Sequence, residues 1–141
     1  VTGAEKAFGE EVARRYGLAS VHNPDYATGM SSSLKRGLEA LPEDASGFAV
    51  ILGDMPYIEN STIDILLDQF SNRGPEPQGI QVPTYKGRRG HPPIFSISYR
   101  QEILAVSGDK GARNVIDLHP KEVSLVEIDD IGITRDVDFF R

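Results

Sequence analysis

The chain has 141 residues, which suits one compact domain, with 15 basic and 21 acidic residues and a formal net charge of −6. That acidic balance argues against a general nucleic-acid binder and against docking on an anionic membrane, since both need clustered Lys and Arg. No apolar run reaches the roughly 18 residues that span a bilayer, and the lack of cysteine excludes disulfides and thiolate metal sites. A soluble, cytoplasmic domain is expected.

The first half of the chain alternates between helical and strand patterns. Apolar spacing predicts a helix over residues 4–16 and a short strand over 18–22, and a second helix begins among residues 31–33. The apolar run at residues 48–52, bounded by glycines, is typical of a parallel strand covered on both faces. A third helix follows, with residue 60 or 61 as its cap and an inward face formed by Ile63, Leu66, Leu67 and Phe70.

The second half mixes short strands and short helices. Two strands flank a charged excursion at residues 86–90, which is typical of a hairpin. In chain order, the predicted elements are strands over 80–85 and 93–98, helices over 99–106 and 111–118, a strand over 123–128 and a loop over 131–140 leading to an edge. The alternation predicts a three-layer α/β sandwich with some antiparallel character in this half.

The strongest local signal comes directly after the predicted strand at residues 48–52, where Gly53 and Asp54 precede Met55 and Pro56. Ligands in open α/β sheets bind beyond the carboxyl ends of strands, so Asp54 would project a carboxylate into that crevice. One or two carboxylates plus substrate phosphates suit Mg²⁺. The alternative, that Asp54 only caps the following turn, is equally consistent with the spacing.

A second signal is a polar loop, a glycine and a serine cluster at residues 23–34. It places free backbone N–H groups at a helix N-terminus, where polar or anionic ligand atoms can bind. Ordinary capping by serine explains the pattern at least as well.

Three further segments carry weaker signals. Asp136 and Asp138 would share one face of an extended segment and could bind a metal, although acidic pairs are usually just solvated. Residues 88–93 bring two arginines and a histidine to a glycine-flanked loop that could meet an anionic substrate, or could simply be solvated. Residues 108–113 form a turn that opens a helix, without the spacing of a Walker loop.

Taken in order, these segments resemble the molybdenum cofactor cytidylyltransferases and the MobA-like nucleotidyltransferases. The matching pieces are residues 23–34 with Gly37-Leu38, 52–56, 83–92, 108–113 and 136–138. The resemblance implies a Rossmann-like nucleotide-diphosphosugar transferase fold with a mixed, mostly parallel sheet. It also implies Mg²⁺-dependent transfer of CMP from CTP to molybdopterin, a phosphorylated pterin, with release of pyrophosphate.

The residues carried over by position form three groups. Asp54 and Asp138 would be the catalytic carboxylates that hold Mg²⁺. The nucleotide side would be formed by Asn23, Gly29, Ser32 and Ser33, and the acceptor side by Gly90, His91 and Pro92. A molybdoenzyme or its chaperone is a further partner that the resemblance suggests.

The family's first strand and its Gly-rich, triphosphate-binding loop have no match in this chain. Val1-Thr2-Gly3 resembles the end of the family's second strand, so we expect a single domain over residues 1–141 that is incomplete at its N-terminus. A missing strand would expose a sheet edge, and self-association through that edge is expected. Two alternatives stay open: a guanylyltransferase or sugar-phosphate nucleotidyltransferase of the same fold, with GTP or another NTP, and a non-catalytic remnant that binds a nucleotide or pterin.

Overall fold

A computed structural model describes residues 1–74, 78–105 and 111–137. The chain divides into two compact units, one formed by Val1–Asp44 with Tyr99–Leu118 and one by Ala45–Ser98 with the residues from His119 onward. The helices are α1 Lys6–Arg15, α2 Met30–Glu39, α3 Asn60–Ser71, α4 Arg100–Ala105 and α5 Arg113–Leu118, and the strands are β1 Gly47–Ala49, β2 Ile80–Tyr85, β3 Arg88–Arg89, β4 Ile94–Ser96 and β5 Val123–Glu127. None of the helices in these ranges is long and apolar enough to cross a membrane.

The first unit contains α1, α2, α4 and α5. The predicted strand over residues 18–22 is reduced to a single parallel bridge between Thr2 and His22, with hydrogen bonds from Thr2 N–H to Val21 O and from Asn23 N–H to Thr2 O, both 2.8 Å. Helix α1 buries none of its residues, and Phe8 and Tyr16 are each 68% exposed. The apolar spacing therefore predicted the helix correctly, although the apolar side of α1 is not buried in the structure.

The second unit is built on the mixed sheet that the sequence predicts. Strand β4 pairs antiparallel with both β1 and β2, β3 pairs antiparallel with β2, and β5 runs parallel to β2. Three of these four pairings are antiparallel, which differs from the mostly parallel sheet expected. Because β1 and β2 are both antiparallel to β4, they run in the same direction as each other and as β5. The carboxyl ends of β1, β2 and β5 therefore lie at one edge of the sheet.

Strand β1 is shorter than the apolar run that predicted it. Its ladder covers only residues 47–49, one further hydrogen bond joins Val50 N–H to Pro93 O at 3.0 Å, and Ile51 is 59% exposed. The segment that precedes β4 has Pro92 and Pro93 opposite this point, and proline has no N–H to donate to a ladder. The ladder therefore ends here, although residues 50–52 are apolar enough for a buried strand. Strand β1 is the terminal strand of the described sheet order, so its outer side is an edge of the sheet. Self-association through an exposed sheet edge stays a prediction.

The core of the second unit lies between the sheet and α3. The buried face of α3 is Thr62, Leu66 and Phe70, four residues apart, whereas Leu67 is 44% exposed and the prediction that it faces inward is wrong. Leu66 and Phe70 pack with the buried side chains Ile94, Ile128 and Ile133.

The segment that follows β5 crosses the edge of the sheet at which the carboxyl ends of β1, β2 and β5 lie. We call residues 130–137 of this segment the strap. The loop expected over residues 131–140 instead begins with a 3₁₀ turn at Ile131–Thr134. Buried Asp130 opens the strap, and its carboxylate accepts hydrogen bonds from Glu59 N–H (2.9 Å), the Thr62 hydroxyl (2.7 Å) and Gly132 N–H (2.7 Å). One carboxylate thus joins the start of α3 to the strap.

Burial raises the pKa of Asp130, but the hydrogen bonds from Glu59, Thr62 and Gly132 outweigh it, so the pKa is lowered overall. A carboxyl group whose pKa is lower in the folded state stabilises the fold above its unfolded pKa, and that contribution is lost as the pH falls through the folded value.

We expect Asp130→Ala to lower the free energy of unfolding at pH 7 by about 2 kcal/mol or more, because it leaves the Thr62 hydroxyl without its buried partner. Urea unfolding curves measure this. The exposed neighbour Asp129 serves as control, and its change to Ala should stay within about 0.5 kcal/mol. The difference between the Asp130 variant and the wild type should shrink as the pH falls below about 4. A constant difference across that range would contradict the charge-based account.

Candidate functional site

The Asp54 carboxylate lies just beyond β1 at the carboxyl edge of the sheet. Its side chain is exposed and makes no hydrogen bond or ion pair with any residue that the structure describes. Its backbone carbonyl accepts a hydrogen bond from Val137 N–H at 2.7 Å. The strap thus holds the loop at Asp54 through the main chain and leaves the carboxylate oxygens available for a ligand.

The strap also meets the loop at Gly90 and His91. His91 N–H donates to Ile133 O at 2.8 Å, and a Cβ added at Gly90 would lie 2.5 Å from that same carbonyl oxygen. Gly132 is equally confined, because an added Cβ would collide with the Tyr57 carbonyl. These glycines let three main-chain segments approach one another closely, which a side chain at either position would prevent.

His91 is partly buried, and its ring lies near Asp54. Burial lowers the pKa of His91, and a hydrogen bond to the Val50 carbonyl and the charge of Asp54 raise it by less, so the pKa is lowered overall. The imidazole is therefore neutral at pH 7. Its buried Nδ1 has no hydrogen-bond partner among the described residues. Neighbouring Pro92, joined to His91 by a cis peptide bond, is fully buried.

The serine loop belongs to the first unit, where Asn23 organises it. Asn23 is 1% exposed, and its Nδ2 donates to Ser32 Oγ at 2.8 Å and to Ser33 Oγ at 2.9 Å. Its Oδ1 accepts from Asp25 N–H at 3.0 Å. The side-chain donors of Asn23 are thus engaged within the loop.

Helix α2 begins at Met30, directly after Gly29, so its N-cap is a residue without a side chain. Gly29 has φ 121°, a conformation that favours glycine. The Ser32 hydroxyl lies within hydrogen-bond distance of the Asp25 and Gly29 carbonyls, at 3.0 and 2.8 Å. The N-cap is therefore a glycine and not one of the serines that the sequence allowed, and the Ser32 N–H donates to Gly29 O at 3.1 Å.

The predicted residues thus fall into two groups, with Asn23, Gly29, Ser32 and Ser33 in the first unit and Asp54, Gly90, His91 and Pro92 in the second. Asp138 and residues 108–110 lie outside the described residues. Asp136 lies on the strap and is exposed. Within the described ranges, no group of three or more metal-ligating side chains occurs.

Sequence reasoning missed the residues that hold this edge together. Asp130 lies in no predicted element, Gly132 lies in the loop predicted over residues 131–140, and Glu127 lies within the strand predicted over residues 123–128. Asp130 bonds to residues 71 and 68 positions away, so no local pattern signals its role. Only the Asp-x-Gly spacing of 130–132, which suits a turn in which the side chain bonds the backbone two residues on, could have indicated part of it.

Comparison with known proteins gives the class. The MobA-like NTP transferase domain matches residues 1–123, and the chain belongs to this family. Its mixed α/β fold agrees with that of solved structures of this kind.

One relative is the molybdenum cofactor cytidylyltransferase of Escherichia coli K12, 35% identical over 87 residues, which are 62% of this chain and 41% of that protein. Among solved structures, the Mycobacterium tuberculosis H37Rv protein Rv0371C in complex with manganese has a TM-score of 0.61 at 25% identity, covering 85% of this chain and 64% of that one. Its homologue from Mycobacterium sp. strain JC1 has a TM-score of 0.64 at 24% identity, covering 91% and 62%. The chain therefore spans less than two thirds of the length of each of these proteins.

We expect Gly90→Ala to destabilise the protein by about 1–3 kcal/mol, because the new methyl group would press on the Ile133 carbonyl. Thermal unfolding measures the loss, and the His91 amide should exchange with solvent faster. Gly53 is the matched control, since a Cβ there would meet nothing within 4 Å and Gly53→Ala should leave the stability within about 0.5 kcal/mol. Equal losses in both variants would contradict a special packing role for Gly90.

Proposed function

We propose that this chain is part of a divalent-metal-dependent nucleotidyltransferase that transfers CMP from CTP to the phosphate of a pterin of the molybdopterin type. An oxygen of the acceptor phosphate would attack the α-phosphorus, the bond to the β-phosphate oxygen would break, and pyrophosphate would leave. Membership of the MobA-like family supports the reaction class, and the Escherichia coli relative supports the choice of CTP and pterin.

The observation that carries the proposal is the hydrogen bond from Val137 N–H to Asp54 O at 2.7 Å. It brings Val137, the residue that follows the exposed Asp136, alongside the exposed Asp54, at the sheet edge where ligands of α/β folds bind. We propose Asp54 and Asp138 as the two carboxylates of the metal site.

The donor chemistry fits a divalent cation such as Mg²⁺. Asp54 offers oxygen ligands that no described residue occupies, and Mg²⁺ takes one or two carboxylates together with substrate phosphates and water. The manganese complex of Rv0371C is in line with a divalent ion in a protein of this fold. When bound, the ion would offset the charge that builds up between the two phosphates and would align them.

The nucleotide side is proposed for the serine loop. Asn23 would act by holding Ser32 and Ser33 in place, because its own side-chain donors are used within the loop. The N-terminus of α2, which begins directly after Gly29, and the Ser33 hydroxyl would then face the base and ribose.

The acceptor side is proposed for the loop at Gly90, His91 and Pro92. The neutral His91 ring, held by its hydrogen bond to the Val50 carbonyl, would help to shape this side of the site. Buried Pro92 would support the loop from within the unit rather than offer a contact surface. No strong general base is needed, because an acceptor phosphate is already nucleophilic.

A molybdoenzyme or its chaperone as the recipient of the product stays a prediction.

Asp54→Asn should lower metal-dependent turnover by about 100-fold or more, since a metal contributes several kcal/mol to the transition state and tenfold corresponds to about 1.4 kcal/mol. Pyrophosphate release by the full gene product, with CTP and a molybdopterin acceptor, is the measurement. Asp64, an exposed carboxylate on α3, is the control, and Asp64→Asn should leave turnover unchanged. Unaltered turnover in the Asp54 variant, with unchanged thermal stability, would refute its role.

The base and acceptor can be tested by exchanging substrates in the same assay. The proposal expects CTP with a pterin phosphate to give the highest kcat/KM. A preference for GTP, or for a sugar phosphate as acceptor, would instead support the related transferases of this fold. Calorimetric binding of CTP and Mg²⁺ without pyrophosphate release by the full gene product would support a non-catalytic binding protein.

A further inference from the structure

The hairpin formed by β2 and β3 concentrates positive charge in an acidic protein. Lys86, Arg88 and Arg89 fall within four positions of its tip and are all exposed, whereas the chain as a whole carries −6. The two-residue turn has φ 49° at Lys86 and φ 76° at Gly87, so both residues are left-handed, as in the tight hairpin turns that match strand twist. For lysine this conformation is unfavourable, so some other interaction must hold the turn.

A carboxylate from the neighbouring strand supplies that interaction. Glu127, at the end of β5, is in register with Thr84 and accepts a hydrogen bond from the Thr84 hydroxyl at 2.6 Å. Its other oxygen accepts from Lys86 N–H at 2.6 Å, and the Gly87 N–H also bonds to this carboxylate. The Thr84 hydroxyl lowers the pKa of the exposed Glu127, partial desolvation opposes this, and the two turn N–H groups lower the pKa further. The group is therefore ionised at neutral pH.

The two arginines lie on opposite faces of the hairpin. Arg88 is opposite Tyr85 and Arg89 is opposite Thr84, and directly opposed residues share a face. Arg89 is therefore on the same face as Glu127, whereas Arg88 is on the other face. Within the described residues, the Arg88 guanidinium makes no ion pair or hydrogen bond. Among the described residues Glu127 makes no hydrogen bond or ion pair with Arg88, and its connection to Arg88 runs through the backbone of the turn.

We propose that Glu127 is a positioning residue, which fixes the Lys86–Gly87 turn so that Arg88 is already placed to bind the phosphate of the acceptor. This inference rests on the proposed function. The hairpin follows β2 at the same sheet edge where Asp54 follows β1, and Arg88 is two residues from the proposed acceptor loop at Gly90. An arginine whose backbone is already ordered loses less entropy on binding an anion, so the effect should appear in substrate affinity.

Steady-state kinetics of the full gene product test this assignment. Glu127→Ala should raise the acceptor KM about tenfold, with kcat and the KM of the NTP within twofold. Arg88→Ala should do the same, and the double variant should be no worse than Arg88→Ala alone, because both act through one contact. Glu127→Gln should partly restore the KM, since a glutamine can still accept from Lys86 N–H and donate to the Thr84 hydroxyl. Asp129→Ala, which removes the same charge from the same segment, should have no effect.

Two results would overturn the inference: additive effects of the two substitutions, or a rise in the KM of the NTP instead of that of the acceptor.

A second measurement separates this inference from the proposed function. In nuclear magnetic resonance of this chain, Glu127→Ala should speed exchange of the Lys86 and Gly87 amides and weaken the shift of the Arg88 side-chain resonance on titration with inorganic phosphate. If the wild-type protein has no turnover, the proposed function fails, and the titration decides the role of Glu127. Unchanged amide exchange and an unchanged phosphate response would refute that role.

Discussion

The carboxyl edge of the sheet depends on the buried carboxylate of Asp130. It accepts three hydrogen bonds, two from main-chain N–H groups and one from the Thr62 hydroxyl, and so joins the start of α3 to the strap. The strap then bonds in turn to the loop at His91 and to the loop at Asp54. A charge taken out of water is costly unless it is fully hydrogen-bonded, and here every bond also fixes the position of a loop. The proposed metal and acceptor loops are thereby held by one short segment.

The fold could be predicted from the sequence where the signal is local. The strand Ile80–Tyr85 has the predicted bounds, and α3 begins within two residues of the predicted start, with Glu59 as its cap. Both could be predicted because a continuous apolar run and a periodic helical face each report burial directly. Prediction fails where the length of a strand depends on the segment that pairs with it. Residues 50–52 are as apolar as a buried strand, but Pro92 and Pro93, which precede β4, cannot continue the ladder.

The candidate site divides in the same way. Asp54 could be found because a carboxylate after a glycine at the end of a strand is a local pattern with a known position in α/β folds. Asn23 could be placed in the serine loop from the sequence. Its two bonds to serine hydroxyls could not be predicted, since these depend on how the loop folds back on α2. Glu127 gives no local signal, and Asp130 gives one only for its bond to Gly132, because their other partners are distant in the sequence. Their roles follow only from strand register and tertiary packing.

The chemistry of the Asp130 cluster also determines which positions can vary among related sequences. Glu59 takes part through its backbone N–H, so almost any residue that fits the start of α3 can stand there. Thr62 takes part through its hydroxyl, and Gly132 is confined by the Tyr57 carbonyl, so these two positions tolerate little change. Among relatives that share this arrangement, an Asp-x-Gly turn should therefore co-occur with a hydroxyl-bearing residue in the first turn of the preceding long helix, while the residue just before that helix drifts freely.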